Sequence, residues 1–163
     1  YVHFERKKFF KWRSEYKIIY LKGGIVMSEI ILKRGKEVNE NHIKDLYNDA
    51  GWSSYTKDMS KLMRAIKASL FVVTAWEGNN LIGLIRVVGD GLTIIYIQDI
   101  LVKKSYKRRG IGTKLLEEVL KEYEDVRQKV LLTDESEETR GFYEQNGFVS
   151  CDKGEVVAFA RLD

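Results

Sequence analysis

The stretch that decides the fold is "YKRRGIGTKLLEEVL", residues 106–120, where two glycines follow a basic cluster and precede an amphipathic run. The glycines, Gly110 and Gly112, stand at the N-terminus of a predicted helix, because the apolar residues after them recur at helical spacing. Backbone N–H groups at such an end lack partners and the helix dipole attracts anions. The pattern therefore predicts a loop that binds an anionic ligand such as a phosphate. The apolar residues of the run are Ile111, Leu115, Leu116, Val119, Leu120 and Tyr123.

Three known phosphate loops can be compared with this stretch. The dinucleotide fingerprint needs a third small residue where Leu115 stands, and a Walker loop needs an earlier glycine where Lys107 stands. The third loop, Gln/Arg-x-x-Gly-x-Gly/Ala of acyl-CoA-dependent acetyltransferases, fits residues 107–112 with lysine in the first position. On the loop alone, an ordinary glycine turn before a helix remains an equal alternative.

The flanking segments extend the pattern. "TIIYIQDILV" (93–102) and "KVLLTD" (129–134) are typical of buried strands, "SEETRGFYEQ" (136–145) of a short helix, and "NGF" (146–148) of a turn into another strand. Strand, basic loop, helix, strand and a helix ending in "FYEQNGF" together resemble the GNAT family of N-acetyltransferases. The resemblance covers roughly residues 29–162, and the two motifs at this separation are more specific than either alone.

The remaining segments predict an α+β fold that matches the GNAT order element by element. A strand at 29–35 and two helices at 40–50 and 56–69 precede a hairpin whose strands, 70–77 and 81–90, meet across Gly78-Asn79-Asn80. With a further strand at 156–162, the expected order is β-α-α-β-β-β-α-β-α-β-(β). We therefore expect a mixed, mostly antiparallel sheet of six to seven strands with about four helices.

Charge is distributed unevenly along the chain, which has 28 Lys and Arg, 24 Asp and Glu and a net charge of +4. Residues 1–26 hold seven basic and two acidic residues, so the remainder has a net charge of −1. Lys22-Gly23-Gly24 before Met27 can be encoded by a purine-rich bacterial ribosome-binding sequence. We therefore interpret residues 1–26 as a non-native leader and residues 27–163 as one domain. A basic arm that binds nucleic acid or membrane is the alternative.

Several classes of protein are disfavoured by composition. The single cysteine, Cys151, excludes an intramolecular disulfide, and no Cys/His cluster predicts a metal site. No apolar run reaches membrane-spanning length. We expect a cytoplasmic bacterial protein without metal, nucleic-acid or membrane partners.

The resemblance implies acetyl-CoA as the co-substrate. Backbone N–H groups of the loop would hold the pyrophosphate, and the strand before the loop would splay from its neighbour and pair with the pantetheine amides. This assigns two groups of residues to cofactor binding: Ile100, Leu101 and Val102 on the strand, and Lys107, Arg108, Arg109, Gly110, Ile111, Gly112 and Thr113 in the loop.

The resemblance also implies catalytic residues. Tyr143 matches the tyrosine that in many relatives directs its phenol at the CoA sulfur, and a phenol is a proton donor at neutral pH. Asp99 is the one carboxylate in an otherwise uncharged strand, so it is either the base that accepts the amine proton or an anchor at the splay. A water chain would serve as base in place of a carboxylate.

The acceptor would lie near "DAGWSSYTKD" (49–58), which joins the two early helices. Trp52 and Tyr55 are expected to stack on a small amine or peptide amine, or else to pack on the domain, and Asp90 in "VVGDG" (87–91) is expected to face the cleft. The predicted function is acetyl transfer to a primary amine by direct attack in a ternary complex. A catalytically silent acyl-CoA-binding sensor or interaction module is the alternative. The resemblance is compatible with a homodimer, because this family often dimerises.

Overall fold

The computed structural model describes residues 29–154 and 156–162. The predictions made for residues 1–26 therefore lie outside the described residues. Within them, five strands form one sheet in the order β1-β2-β3-β4-β5, and all neighbours are antiparallel except β4 and β5. The α+β class is confirmed. The strands are β1 (Ile30–Arg34), β2 (Phe71–Glu77), β3 (Asn80–Gly89), β4 (Ile94–Val102) and β5 (Gln128–Val130).

Five α-helices accompany this sheet in the described residues, and they lie on both of its faces. Three of them begin with a side-chain cap: Asn39 accepts from the amide of Asn41, Asp58 from that of Lys61, and Ser136 from that of Thr139. The helices are α1 (Glu40–Asp49), α2 (Ser53–Thr56), α3 (Met59–Ala68), α4 (Ile111–Glu122) and α5 (Glu137–Gln145).

The element counts differ from the expectation of six to seven strands and about four helices. The added helix, α2, is a single turn inside the segment predicted to be a connection. Neither residues 148–150 nor residues 156–162 form a strand in the described part of the chain. A strand needs a neighbouring ladder, and β5 offers only three residues. The apolar side chains of the final segment, Val156, Val157, Phe159 and Leu162, are accordingly exposed.

The core lies on both faces of the sheet, because successive strand side chains point to opposite sides. Val72 packs with α1 and α3, whereas its neighbour Val73 packs with α4. Each fully buried aliphatic side chain of these two clusters contributes about 1.5–3 kcal/mol. The helix that follows the glycine loop is thus fixed to the sheet by Ile111, Leu115, Leu116 and Val119.

Two opposite charges are buried between β3 and β4. Arg86 is 6 % exposed and Asp99 is 1 % exposed; they pair across the two strands and form a salt bridge. The next pair is Val87 with Ile97, so Gln98 is the extra residue of a β-bulge. The bulge therefore lies beside the ion pair.

The two parallel strands separate soon after they meet. β4 pairs with β5 only from Ile94 to Tyr96, although β4 itself continues to Val102. The second half of β4 consequently has a sheet neighbour on one side only, β3. This separation confirms the expected splay and opens a cleft between the strands.

We predict that Arg86→Met destabilises the fold by about 3–5 kcal/mol, because removing one partner leaves the buried carboxylate of Asp99 without its counter-charge. Urea unfolding followed by circular dichroism measures this loss. Arg34→Met is the control: Arg34 bridges Glu118 and Glu122 at the surface, so its loss is expected to cost about 1 kcal/mol or less. Equal losses at the two positions would contradict the prediction.

Candidate functional site

A cleft of about 850 Å³ occupies the space where β4 and β5 separate. Its walls are residues 50–55 after α1, the second half of β4, the loop 106–113, residues 132–134 after β5, and α5. Apolar strand residues thus line the same space as the predicted anion loop. This volume is in the range of sites for small molecules and cofactors.

The loop before α4 presents backbone N–H groups to this cleft. Arg108 and Gly110 have positive φ angles of 61° and 75°, and no side chain caps the helix that follows. The first hydrogen bond of the helix runs from the amide of Lys114 to the carbonyl of Gly110 at 3.1 Å. The preceding amides, those of Ile111, Gly112 and Thr113, therefore have no carbonyl partner within α4, and all three residues line the cleft.

Gly112 lies at a packed helix end, where a Cβ atom would fit at ordinary van der Waals distance. A Cβ atom there would lie 3.4 Å from the ring of Phe142 on α5 and 3.9 Å from Val102 on β4. The position thus lies where α4, β4 and α5 meet. A larger side chain would project into the contact between these three elements.

The positive side chains of the loop are not equivalent. Lys107 and Arg108 line the cleft together with Lys104. Arg109 is not among the lining residues, and its guanidinium lies 4.9 Å from the ring centre of Tyr106. The structure therefore brings all the predicted loop residues except Arg109 to the cleft.

The predicted strand residues Ile100, Leu101 and Val102 also line the cleft. Leu101 is 3 % exposed because its side chain belongs to the core on the α1 side. Its presence at the cleft reflects the open edge of β4 beyond Tyr96. Backbone groups on this edge are available to a ligand that lies along the strand.

Tyr143 lies on α5 and lines the cleft at the opposite wall. The residue is 8 % exposed and its ring contacts Phe142 and Phe148 edge to face, with centroids 5.0 and 5.7 Å away. Burial, and to a lesser degree the neighbouring Tyr96, raises the pKa of its phenol to about 12. At neutral pH the phenol is therefore protonated and can donate a proton or a hydrogen bond.

Asp99 is not among the residues that line the cleft. Its Oδ2 atom accepts hydrogen bonds from the Tyr47 hydroxyl at 2.6 Å and from Nε of Arg86. Its Oδ1 atom is buried and has no hydrogen-bond partner among the described residues. The residues on either side, Gln98 and Ile100, do line the cleft. Asp99 thus helps to hold β4, which forms this wall of the cleft, without facing the cleft itself.

The predicted acceptor residues lie in different places. Trp52 and Tyr55 line the cleft with stacked rings, their centroids 5.7 Å apart. Asp90 is not a lining residue: its carboxylate accepts from the amides of Leu92, Thr93 and Ile94. These backbone hydrogen bonds lower the pKa of Asp90 below its usual range. Asp90 therefore organises the turn between β3 and β4.

Sequence reasoning did not single out the partners of Asp99. Arg86 is the one charged residue in the apolar strand "NLIGLIRVVG", and an opposite charge in the adjacent antiparallel strand was a usable signal. Tyr47 shares a buried helix face with Ile43 and Leu46, so its hydroxyl needed a polar partner in the core. Together these two signals identify the residues that surround Asp99.

The described part of the chain offers no group of three or more His, Cys, Asp or Glu side chains arranged to hold a metal ion. None of the helices in that part is long and apolar enough to cross a membrane.

Comparison with known proteins gives a family match over most of the chain. A family model described as "Acetyltransferase (GNAT) domain" matches residues 35–161. A GNAT family acetyltransferase structure from Streptococcus pneumoniae is 32 % identical, with a TM-score of 0.73, and the match covers 82 % of this chain and 98 % of that one.

Two curated relatives match over parts of their length. An uncharacterized N-acetyltransferase, ycf52-like, from Prochlorococcus marinus is 28 % identical over 72 % of this chain and 66 % of the relative. A protein from Glycine max named histone acetyltransferase TAP1 is 29 % identical over 58 % of this chain. This chain spans 45 % of the soybean protein, which is less than half of its length.

We predict that Gly110→Ala destabilises the protein by about 1–2 kcal/mol, because an L-residue with a side chain strains the left-handed conformation. The matched control is Gly141→Ala inside α5, where an added Cβ meets no atom within 4 Å. That substitution is expected to stabilise the helix by about 0.5–1 kcal/mol. Urea unfolding measures both changes, and a shift of the same sign at the two positions would contradict the conformation assigned to Gly110.

Proposed function

Because the chain belongs to the GNAT acetyltransferase family, we propose that it transfers the acetyl group of acetyl-CoA to a primary amine. The observation that carries the proposal is the cleft itself. It runs from the uncapped N-terminus of α4, along the open edge of β4, to the phenol of Tyr143. An anion site, a backbone edge and a proton donor thus lie on one continuous surface.

The loop is proposed to hold the CoA pyrophosphate. Residues 108–113 supply backbone N–H groups, and Lys107 and Arg108 supply positive charge at the cleft surface. Arg109 was also predicted to contact the pyrophosphate. Its guanidinium lies over the ring of Tyr106, so this contact remains a proposal. The open edge of β4 at Ile100, Leu101 and Val102 would pair with the pantetheine amides. An N–H group on this edge would polarise the thioester carbonyl.

The proposed reaction is a direct attack in a ternary complex. The amine nitrogen forms a bond to the carbonyl carbon, and the carbon–sulfur bond breaks. Tyr143 would donate its phenolic proton to the departing sulfur, and its raised pKa keeps that proton in place at neutral pH. The products are the N-acetylated amine and free CoA.

Two routes are proposed for removing the proton of the amine. Asp99 can serve as base only through a water molecule, because its carboxylate does not line the cleft and Oδ2 already accepts from Tyr47 and Arg86. The other route is a water chain that ends in solvent. In that case Asp99 serves as the anchor of the strand, which its buried contacts favour.

The acceptor is proposed to lie against Trp52 and Tyr55. Their stacked rings offer an apolar wall for the carbon skeleton of a small amine or a peptide amine. Asp90 is not included in this site, because three backbone amides occupy its carboxylate.

We predict saturable binding of acetyl-CoA in calorimetric titration, with no comparable binding of ATP or NAD. Lys107→Met should weaken acetyl-CoA binding about tenfold, the equivalent of one charge-assisted contact. Lys121→Met, in the last turn of α4, is the control and should leave the affinity unchanged. Equal affinity for the three ligands would show that the loop binds anions without selecting CoA.

We predict that Tyr143→Phe lowers kcat about 100-fold, which is the lower range for loss of a general acid, and leaves acetyl-CoA affinity unchanged. Because the pKa of the phenol is about 12, the ratio of wild-type to variant kcat should stay constant between pH 7 and pH 10. Stopped assays of released CoA at several pH values provide the measurement. An unchanged kcat would remove Tyr143 from the mechanism, and a wild type that binds acetyl-CoA without turnover would indicate a sensor.

A further inference from the structure

We propose that Tyr47 is a positioning residue that fixes the acceptor loop, residues 51–55, against β4 and thereby sets how well the amine acceptor binds. The inference rests on the proposed function for its kinetic consequence. Its structural part concerns only the contacts of Tyr47 with Asp99, Trp52 and Tyr55. The two parts are therefore tested by separate measurements.

The first contact joins α1 to the strand that forms the cleft wall. Tyr47 is completely buried, and its hydroxyl donates to Oδ2 of Asp99 at 2.6 Å. Asp99 lies between Gln98, the bulged residue, and Ile100, and both of these line the cleft. The hydroxyl therefore fixes the distance between α1 and β4 at the point where the open edge of the strand borders the cleft.

The second set of contacts reaches the acceptor loop. The carbonyl of Tyr47 accepts from the amide of Trp52 at 2.9 Å. Its ring lies edge-on to Trp52, with centroids 6.2 Å apart, and tilted against Tyr55 at 5.8 Å. Tyr47 thus contacts both aromatic side chains of the acceptor loop and the carboxylate of Asp99 behind the strand.

The carboxylate of Asp99, which accepts from Tyr47, is also bound by a residue of β3. Nε of Arg86 donates to the same oxygen of Asp99, and another nitrogen of Arg86 contacts the hydroxyl of Ser69 at 3.4 Å. Burial, with the charge of Asp99, raises the pKa of Tyr47 well above its usual range. Its hydroxyl is therefore protonated at neutral pH and donates to Asp99.

A simpler role is that Tyr47 only fills space in the core. Phenylalanine fills nearly the same volume, so Tyr47→Phe removes the hydroxyl and keeps the ring contacts. A space-filling role predicts that the acceptor loop stays in place in this variant. The positioning role predicts that the acceptor loop moves relative to β4.

The primary experiment follows tryptophan indole N–H signals of the full chain by ¹H–¹⁵N NMR. The Trp52 signal is identified by its loss in Trp52→Phe. Trp76 serves as an internal reference for the sheet and α1, because its indole donates to Thr74 on β2 at 2.8 Å and its ring lies edge-on to His42 of α1, with centroids 5.2 Å apart. In Tyr47→Phe we expect the Trp52 signal to shift and its hydrogen exchange to accelerate about tenfold, while Trp76 is unchanged.

The matched control is Tyr123→Phe, which removes a partly buried hydroxyl at the end of α4, where the ring contacts Phe71. Both indole signals should be unchanged in that variant. An unchanged Trp52 signal in Tyr47→Phe would overturn the inference. An equal change at Trp76 would also overturn it, since that result indicates general loosening of the domain.

The kinetic part uses tryptamine as the probe amine. In Tyr47→Phe the KM for tryptamine should rise about tenfold, with the KM for acetyl-CoA within about twofold of wild type. Equal increases for both substrates would overturn the specific link to the acceptor. If the wild type neither binds acetyl-CoA nor acetylates the probe, the proposed function fails, and the NMR result still decides the position of the loop.

Discussion

The whole site depends on where β4 and β5 stop pairing. Parallel strands normally continue side by side, yet here the ladder ends at Tyr96 while β4 extends to Val102. The bulge at Gln98 follows directly, and bulges increase local twist and bend the strand. Beyond that point backbone groups of β4 face a cleft in place of a neighbouring strand. An open strand edge inside a fold is stable only if a ligand or solvent satisfies those groups.

The bend in β4 is held by two charged side chains, although a protein core normally excludes charge. Arg86 and Asp99 face each other beside the bulge, and Tyr47 adds a third hydrogen-bonding group from α1. Replacing such a buried pair by apolar residues is often neutral for stability, so stability alone does not explain it. Its geometry offers another explanation: the pair and the tyrosine fix one register of β3, β4 and α1. Apolar side chains pack without direction and would permit a one-residue slip.

The N-terminus of α4 shows a similar balance between stability and binding. The side chains before α1, α3 and α5 each accept from an early backbone amide of the helix, whereas Gly110, the residue before α4, has no side chain to do so. A serine or aspartate at this cap would contribute about 1 kcal/mol, but its oxygen would occupy the amides that face the cleft. The helix is retained because its apolar face, including Leu115 and Leu116, is completely buried against the sheet.

The sequence by itself determined the features that depend on near neighbours along the chain. The glycines before an amphipathic run predicted the uncapped helix, and apolar runs bounded by turn residues predicted the five strands that form the sheet. Tyr143 and the strand 100–102 were placed at the cleft through the family resemblance. Only the tertiary structure decided the environments of Asp99 and Asp90. Tyr47 and Asp99 are 52 residues apart, and periodicity carries no information about which distant elements meet. The number of strands was also decided there. The segment 156–162 has a strand-like composition, but such a segment forms a strand only where a partner edge is long enough to pair with it.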